Sequence, residues 1–266
     1  DEAHRSTSAS YRNFFKFLNA SESSAKRTVI LGLSATPYRA DSKTTARLAG
    51  FYGNLIEPEI FEQDPIKWLR ERRYLAIPDT RTIDNVSGTY ELNENPKYRD
   101  YFEDFHDIHP ELLTVIAGDA GRNKLIVDAV VSLPPSSSVL LFACSVEHAI
   151  ALSLMLLRTG ISSTAITGAT RPSTRRAAIE RFRRKEIKVI TNFGVLTTGF
   201  DAPAIDTVIV ARPTASSVLY EQMIGRGMRG PEFGGTERCL IIDVEDNLRF
   251  QGQMASRRHR DSWLNS

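Results

Sequence analysis

Four short groups of residues in this sequence have types and spacings suited to phosphate chemistry. Asp1-Glu2-Ala3-His4 sets two acids side by side, and adjacent carboxylates can hold a hydrated divalent cation and orient a water. Ser34-Ala35-Thr36 follows an apolar run, where two hydroxyls can relay hydrogen bonds between neighbouring groups. The stretch from Thr191 through Asn192, Thr197, Thr198 and Gly199 to Asp201 and Pro203 is dense in hydroxyls and glycine. Glycine lets backbone amides approach a phosphate closely, and threonines can donate to its oxygens. Gln222 precedes Arg226 and Arg229, two arginines three apart at a helix terminus and on one face, and the planar guanidinium suits bidentate contact with phosphate oxygens. Taken singly, each group also describes a polar turn, a cap or an ordinary βα connection; their company in one chain sets them apart.

These residues need elements to hold them. Arg27 to Leu33 reads as a short buried strand, stopped by the proline turn after Thr36 and preceded by a helix-like stretch around Tyr11 to Leu18. A second helical pattern, Pro65 to Arg73, leads to a seam between modules near Tyr74. After Ser138 the alternation is regular. Strands are expected at 139–143, 163–166, 188–191, 207–210 and 239–243, with helices at 146–158, 172–185 and 217–223. Strands separated by helices at this interval imply right-handed crossovers and a mostly parallel sheet covered on both faces, with ligands at the carboxyl ends of the strands.

Composition narrows the class. The chain has 266 residues, 34 Lys plus Arg against 32 Asp plus Glu, and 41% hydrophobic residues, which excludes a disordered tail or a small disulfide scaffold. Residues 1 to 115 carry a net charge of −3 and residues 116 to 266 one of +5, so the second part is the better polyanion face. Cys144 and Cys239 both sit in apolar runs and read as core thiols. No apolar run is long enough to span a bilayer.

In this order, Asp1-Glu-Ala-His4, Ser34-Ala-Thr36, Val139-Leu-Leu-Phe-Ala-Cys144, Thr197-Thr-Gly-Phe-Asp201 and Gln222 to Arg229 resemble motifs II, III, IV, V and VI of superfamily 2 helicases, across nearly the whole chain. Asp-Glu-Ala-His-Arg, Ser-Ala-Thr-Pro-Tyr-Arg and Thr-Gly-Phe-Asp-Ala-Pro look like the DNA-directed branch that contains RadD, the XPB group and restriction-enzyme translocase subunits, more than like the DEAH-box RNA helicases. The resemblance implies an α/β, RecA-like (P-loop NTPase-type) fold, a parallel sheet with helices on both faces. Residues 1–74 would be the C-terminal part of a first lobe, 75–250 a complete second lobe, and 251–266 a basic tail.

The resemblance also implies roles. Asp1 would hold Mg2+ through water, and Glu2 would act as general base on the attacking water. His4 would link the γ-phosphate of ATP to Ser34 and Thr36, coupling nucleotide state to strand grip. Gly199 and Gln222 would border the nucleotide, and Asp201 would reach toward its ribose. Arg226 and Arg229 would reach across from the second lobe to stabilise charge on the transferred phosphoryl. Thr167, Gly168, Thr191, Asn192, Thr197 and Thr198 would meet DNA backbone phosphates, contacts that carry little base information and do not tell DNA from RNA.

One departure stands out. The sequence contains no Gly-x-x-x-x-Gly-Lys-Ser/Thr loop; Gly118-Asp-Ala-Gly121-Arg-Asn-Lys124 lacks the spacing and the hydroxyl, and reads as the lead into a helix. With no initial Met, the chain is expected to be a piece of something longer, whose missing first-lobe half carries that loop. Alone it is expected to bind ATP poorly and hydrolyse it hardly at all. The leading expectation is thus the motor of an ATP-dependent DNA helicase or translocase, cytoplasmic or nucleoid-associated, not secreted. The alternatives are a non-catalytic nucleic-acid-binding remnant and the translocase portion of a restriction or defence nuclease. His106 and His109 read as surface polar residues, and the arginines of 171–184 as a solvated helix face with a possible DNA-facing contribution.

Overall fold

The computed structural model describes residues 3, 6, 8, 10, 11, 13, 14, 17, 30–34, 42–52, 64–105, 107–196, 205–250 and 253–254. The chain divides between Glu62 and Gln63 into two compact units, ahead of the seam expected near Tyr74.

In the first unit, helix α1 spans Ser42–Tyr52. Gly32 lies close under the Tyr52 ring, where a β-carbon would come within 2.6 Å of a ring carbon. Of the strand expected over Arg27 to Leu33, the described residues 30–33 have no regular structure, and Leu31 and Leu33 are 70% and 58% exposed. A strand needs a ladder of hydrogen bonds; among the described residues, the Leu33 carbonyl accepts one, from the Ala3 amide at 2.9 Å.

The second unit begins with helix α2, Pro65–Glu71, whose Asp64 side chain accepts from the Lys67 amide. Strand β1, Ile77–Glu91, then leads into two short helices, α3 (Pro96–Phe105) and α4 (Pro110–Ala117), and a longer one, α5 (Ala120–Val131). The remainder alternates: β2 (Val139–Phe142), α6 (Val146–Arg158), β3 (Ser163–Ile166), α7 (Pro172–Arg183), β4 (Val189–Asn192), β5 (Thr207–Val210), α8 (Ser217–Ile224), β6 (Arg238–Phe250) and β7 (Gln253–Met254). The sheet order is β1-β6-β5-β2-β4-β3, all parallel, and β7 folds back antiparallel on the end of β6. The expected strand and helix positions after Ser138 agree closely, because β2, β4 and β5 are buried along their whole length, as strands covered on both faces must be.

Two strands exceed expectation. β6 runs to Phe250, well past Asp243, and β1 was not anticipated at all. Each supports the other through a parallel ladder from Ile77 and Arg238 onward, with a register shift between Asn85 and Thr89. β1 is an edge strand rich in polar residues, so its ladder with β6 rather than its composition makes it a strand.

A buried polar knot closes the carboxyl ends of the central strands. Arg122 on α5 has no exposed surface, and its Nε and one terminal nitrogen donate to the two Asp246 carboxylate oxygens, both at 2.7 Å. That same nitrogen donates at 2.6 Å to the carbonyl of Ala211, the residue after β5. Burial opposes the guanidinium charge, but the hydrogen bonds and field of Asp246 outweigh it and hold the group above its ordinary pKa. Cys144, after β2, donates to the same Ala211 carbonyl; burial pushes its thiol up to about 11, although the Arg122 charge opposes the rise. His148 accepts the Cys144 amide on Nδ1, so its other nitrogen donates to the Asn123 side-chain oxygen at 2.9 Å. Burial, reinforced by the Arg122 charge, drives His148 down to about 3.

Two outcomes follow for stability. Replacing Arg122 by Met strands a buried carboxylate and is expected to cost roughly 3–5 kcal/mol in denaturant unfolding, most of it recovered in Arg122→Met/Asp246→Leu. His148 is neutral when folded, whereas the unfolded histidine binds a proton below its ordinary value near 6.5, so its contribution is complete above that pH and declines toward pH 3. We expect His148→Gln to remove up to about 1.4 kcal/mol per pH unit from the acid-side slope of stability, measured by unfolding at a series of pH values; an unchanged slope would contradict the assignment.

Candidate functional site

Parallel topology puts two sets of connections on opposite edges of the sheet. The segments after β3, β4 and β5, carrying Thr167-Gly168, Phe193 to Leu196 and Ala211 to Ser216, leave from the carboxyl edge. α8 returns from the end of β5 toward the start of β6, so Arg226 and Arg229 lie at the amino edge. There the Ala76 amide donates to the Met228 carbonyl and the Gly230 amide to Tyr74. The connection between Asn192 and Thr207 joins the two edges.

The arginine segment departs from expectation. α8 ends at Ile224 and continues only as a tight turn, in which Gly227 donates to Ile224 and Met228 to Gly225. Arg226 lies in that turn, while Arg229 forms a bridge with Leu75; both are half-buried, as is Gln222. The two arginines therefore do not share a helix face. Glycines make this path possible: a β-carbon on Gly227 would strike Cys239 Sγ and Val208, and one on Gly230 would strike the backbone of Arg73 and Tyr74. Cys239 is sealed in this contact, and burial raises its thiol to about 12.

At the carboxyl edge, Thr191 and Asn192 are corrected from contact residues to core. Both are fully buried; the Thr191 hydroxyl donates to the Ala149 carbonyl at 2.7 Å and the Asn192 amide to Leu141 at 3.1 Å, so neither side chain is presented to a polymer. Thr167 is also buried, its backbone amide donating to the Thr170 hydroxyl and its carbonyl accepting from Arg175. Gly168 is exposed in the same turn, with open space at its α-carbon. The loop after β4 is strained: Leu196 is buried with φ of 66°, in the left-handed region that a leucine enters at a cost of roughly 1–3 kcal/mol. Such strain immediately before Thr197 is typical of loops that have a ligand to meet.

Asp1, Glu2, His4, Thr36, Thr197, Thr198, Gly199, Asp201 and His106 lie outside the described residues; Ser34 is half-buried. His109 caps α4 by accepting the Glu111 amide and packs against Tyr98 and Tyr101. The basic helix α7 is divided. Arg181 pairs with Glu186, and Arg183 and Arg184 with Glu180, whereas no carboxylate among the described residues pairs with Arg171, Arg175 or Arg176 at its start.

The corner after β5 was not signalled by the sequence. Asp107, between α3 and α4, receives hydrogen bonds from Arg212 at 2.6 Å and from the Thr214 hydroxyl at 2.8 Å. Arg212 also lies over the Phe193 ring, with its guanidinium carbon 5.9 Å from the ring centre. Only a contact across a span of 105 residues brings these groups together.

Residues 122–231 match the helicase conserved C-terminal domain. Over 94% of its length the chain is 31% identical to the Schizosaccharomyces pombe protein irc3, named as a mitochondrial ATP-dependent helicase, and covers 38% of it. It is 29% identical over 91% of its length to IRC3 of Saccharomyces cerevisiae, also named as an ATP-dependent helicase, and covers 33% of it. The chain thus spans between a third and a half of the length of the curated relatives it matches. Among solved structures, a fragment of an HsdR-type subunit of a type I restriction enzyme from Vibrio vulnificus YJ016 superimposes with a TM-score of 0.58 at 21% identity, over 86% of this chain and 40% of that one, a likeness of fold. No helix among the described residues is long and apolar enough to cross a membrane. The chain is thus similar, over nearly its whole length, to part of two proteins named as ATP-dependent helicases, and residues 122–231 match the helicase conserved C-terminal domain on a RecA-like parallel sheet.

Proposed function

We propose that this chain supplies the second motor lobe, and the adjoining end of the first, of an enzyme that couples ATP hydrolysis to movement on or unwinding of DNA. The observation that carries the reading is the placement of Gln222, Arg226 and Arg229 inside the helicase C-terminal match, on a segment whose glycines pack it against the starts of β1 and β6. A guanidinium held by so constrained a backbone is preorganised for a phosphate, which is the condition for stabilising charge as it develops. Arg226 and Arg229 are the residues we assign to the transferred phosphoryl, with Gly199, Asp201 and Gln222 beside the nucleotide.

Asp1 and Glu2 offer hard carboxylate oxygens, a donor set that fits a hydrated magnesium ion. When bound, that ion neutralises charge on the phosphates; Glu2 takes the proton of the attacking water, and His4 with Ser34 and Thr36 carries the nucleotide state to the strand-gripping loops. The gripping groups are the exposed turn at Gly168, the hydroxyls of Thr197 and Thr198, and the exposed Arg171 and Arg176 at the start of α7. Because the triphosphate cradle motif is absent from these 266 residues, the chain alone hydrolyses ATP poorly in this reading.

The test is ATP turnover by the full-length protein with and without single-stranded DNA or RNA. Arg226→Ala and Arg229→Ala are each expected to lower DNA-stimulated turnover by roughly 10³-fold or more while nucleotide binding is retained. Unchanged turnover in both would overturn the assignment, and stimulation by RNA alone would overturn the choice of DNA.

A further inference from the structure

Resting on the reading of α8 as the helix that leads to the phosphate-facing arginines, we infer that Asp107 is a positioning residue for that helix. An unbroken series of hydrogen bonds connects them. One Asp107 carboxylate oxygen accepts from the Thr214 hydroxyl at 2.8 Å; Thr214 Oγ1 in turn accepts from the Ser216 amide at 3.1 Å. Ser216 is the N-cap of α8, and its side chain accepts from the Leu219 amide at 3.3 Å. The other Asp107 oxygen accepts from Arg212, which covers Phe193 at the start of the hydroxyl-rich loop. One carboxylate thereby holds the first turn of α8 and borders the loop that leads to Thr197.

Asp107 can do this because it is itself fixed. Its neighbour Ile108 is 1% exposed and packs with Leu112, Leu113, Ile116, Cys144 and Leu248, a cluster that Ala215 also joins. The ion pair is sheltered, with side-chain exposures of 19% for Arg212 and 17% for Asp107, so it is screened far less than a surface pair. From below, Arg122 and Cys144 both hold the carbonyl of Ala211. The corner 211–216 is thus held by Arg122 and Cys144 at Ala211 and by Asp107 at Thr214, and the Asp107 contact continues to the cap. α8 is eight residues long, so a shift at its first turn carries through to Arg226 with little to absorb it.

The experiment uses the full-length protein. Asp107→Ala and Thr214→Val are expected to lower nucleic-acid-stimulated kcat by roughly 10–100-fold, the size of effect that follows from small displacement of a catalytic group, with KM for ATP unchanged. Thr214→Ser, which keeps the hydroxyl, is expected to retain wild-type kcat. The double variant is expected to be no worse than the poorer single one, because both act through one relay. Hydrogen exchange at the Ser216 and Leu219 amides is expected to accelerate in Asp107→Ala and Thr214→Val but not in Thr214→Ser. Unchanged exchange, or wild-type kcat in Thr214→Val with Arg226→Ala inactive, would overturn the inference. Accelerated exchange with full turnover in Arg226→Ala and Arg229→Ala would instead overturn the reading of the arginines on which it rests.

Discussion

A guanidinium withdrawn completely from water must be met by a carboxylate, and Arg122 meets Asp246 where the central strands of the sheet end. Most of the functional edge is built around that pair. Its spare hydrogen bond fixes the Ala211 carbonyl, which Cys144 also engages, and His148 and Asn123 complete the knot in a single tautomer. Helices α5 and α6 and strands β2, β5 and β6 are tied at one point, so the turns that follow β2 and β5 begin from fixed positions. Hydrophobic burial alone would tolerate several packings of such a sheet, whereas a buried ion pair tolerates few without leaving a charge unanswered.

The consequence for function lies in the distribution of groups over the two sheet edges. The turn at Gly168 and the strained loop after β4 leave the carboxyl edge, whereas Arg226 and Arg229 stand at the amino edge. α8 runs from the end of β5 at one edge to the turn that carries Arg226 at the other. In a motor that exchanges nucleotide energy for movement along a strand, displacement at one edge has to be felt at the other, and short elements anchored at both ends transmit it with little loss. The glycines at 227 and 230 serve this anchoring, since they let the arginine segment lie directly on Cys239, Val208 and the backbone of Arg73 and Tyr74.

Much of the architecture was legible in the sequence because its signals are local. β2, β4 and β5 are short buried runs rich in Val, Ile and Leu, α6 and α8 lie between a serine cap and a glycine, and α7 opens on a proline. What escaped depends on distant partners. β6 buries Val244, Asp246 and Leu248 at alternate positions, and the charged residue in that pattern is met by Arg122, 124 residues away in sequence. β1 takes its form from β6. Thr191 and Asn192 suggested phosphate contacts by residue type, but they end a strand buried on both faces and spend their hydrogen bonds on Ala149 and Leu141. Asp107 carried no motif signal at all; only the folded chain sets it against Arg212 and Thr214. The acids at 1 and 2 and the hydroxyls at 197 and 198 rest on their motif resemblance.

The central claim is that the guanidinium groups following α8 address the terminal phosphate of a bound nucleotide. The most direct measurement is a structure of the full-length protein with a non-hydrolysable ATP analogue, magnesium and single-stranded DNA. The account predicts a terminal nitrogen of Arg226 or Arg229 at about 2.7–2.9 Å from a γ-phosphate oxygen, the distance of a charge-assisted hydrogen bond. Both guanidinium groups turned away from the triphosphate in that closed complex, with other residues neutralising it, would contradict the account.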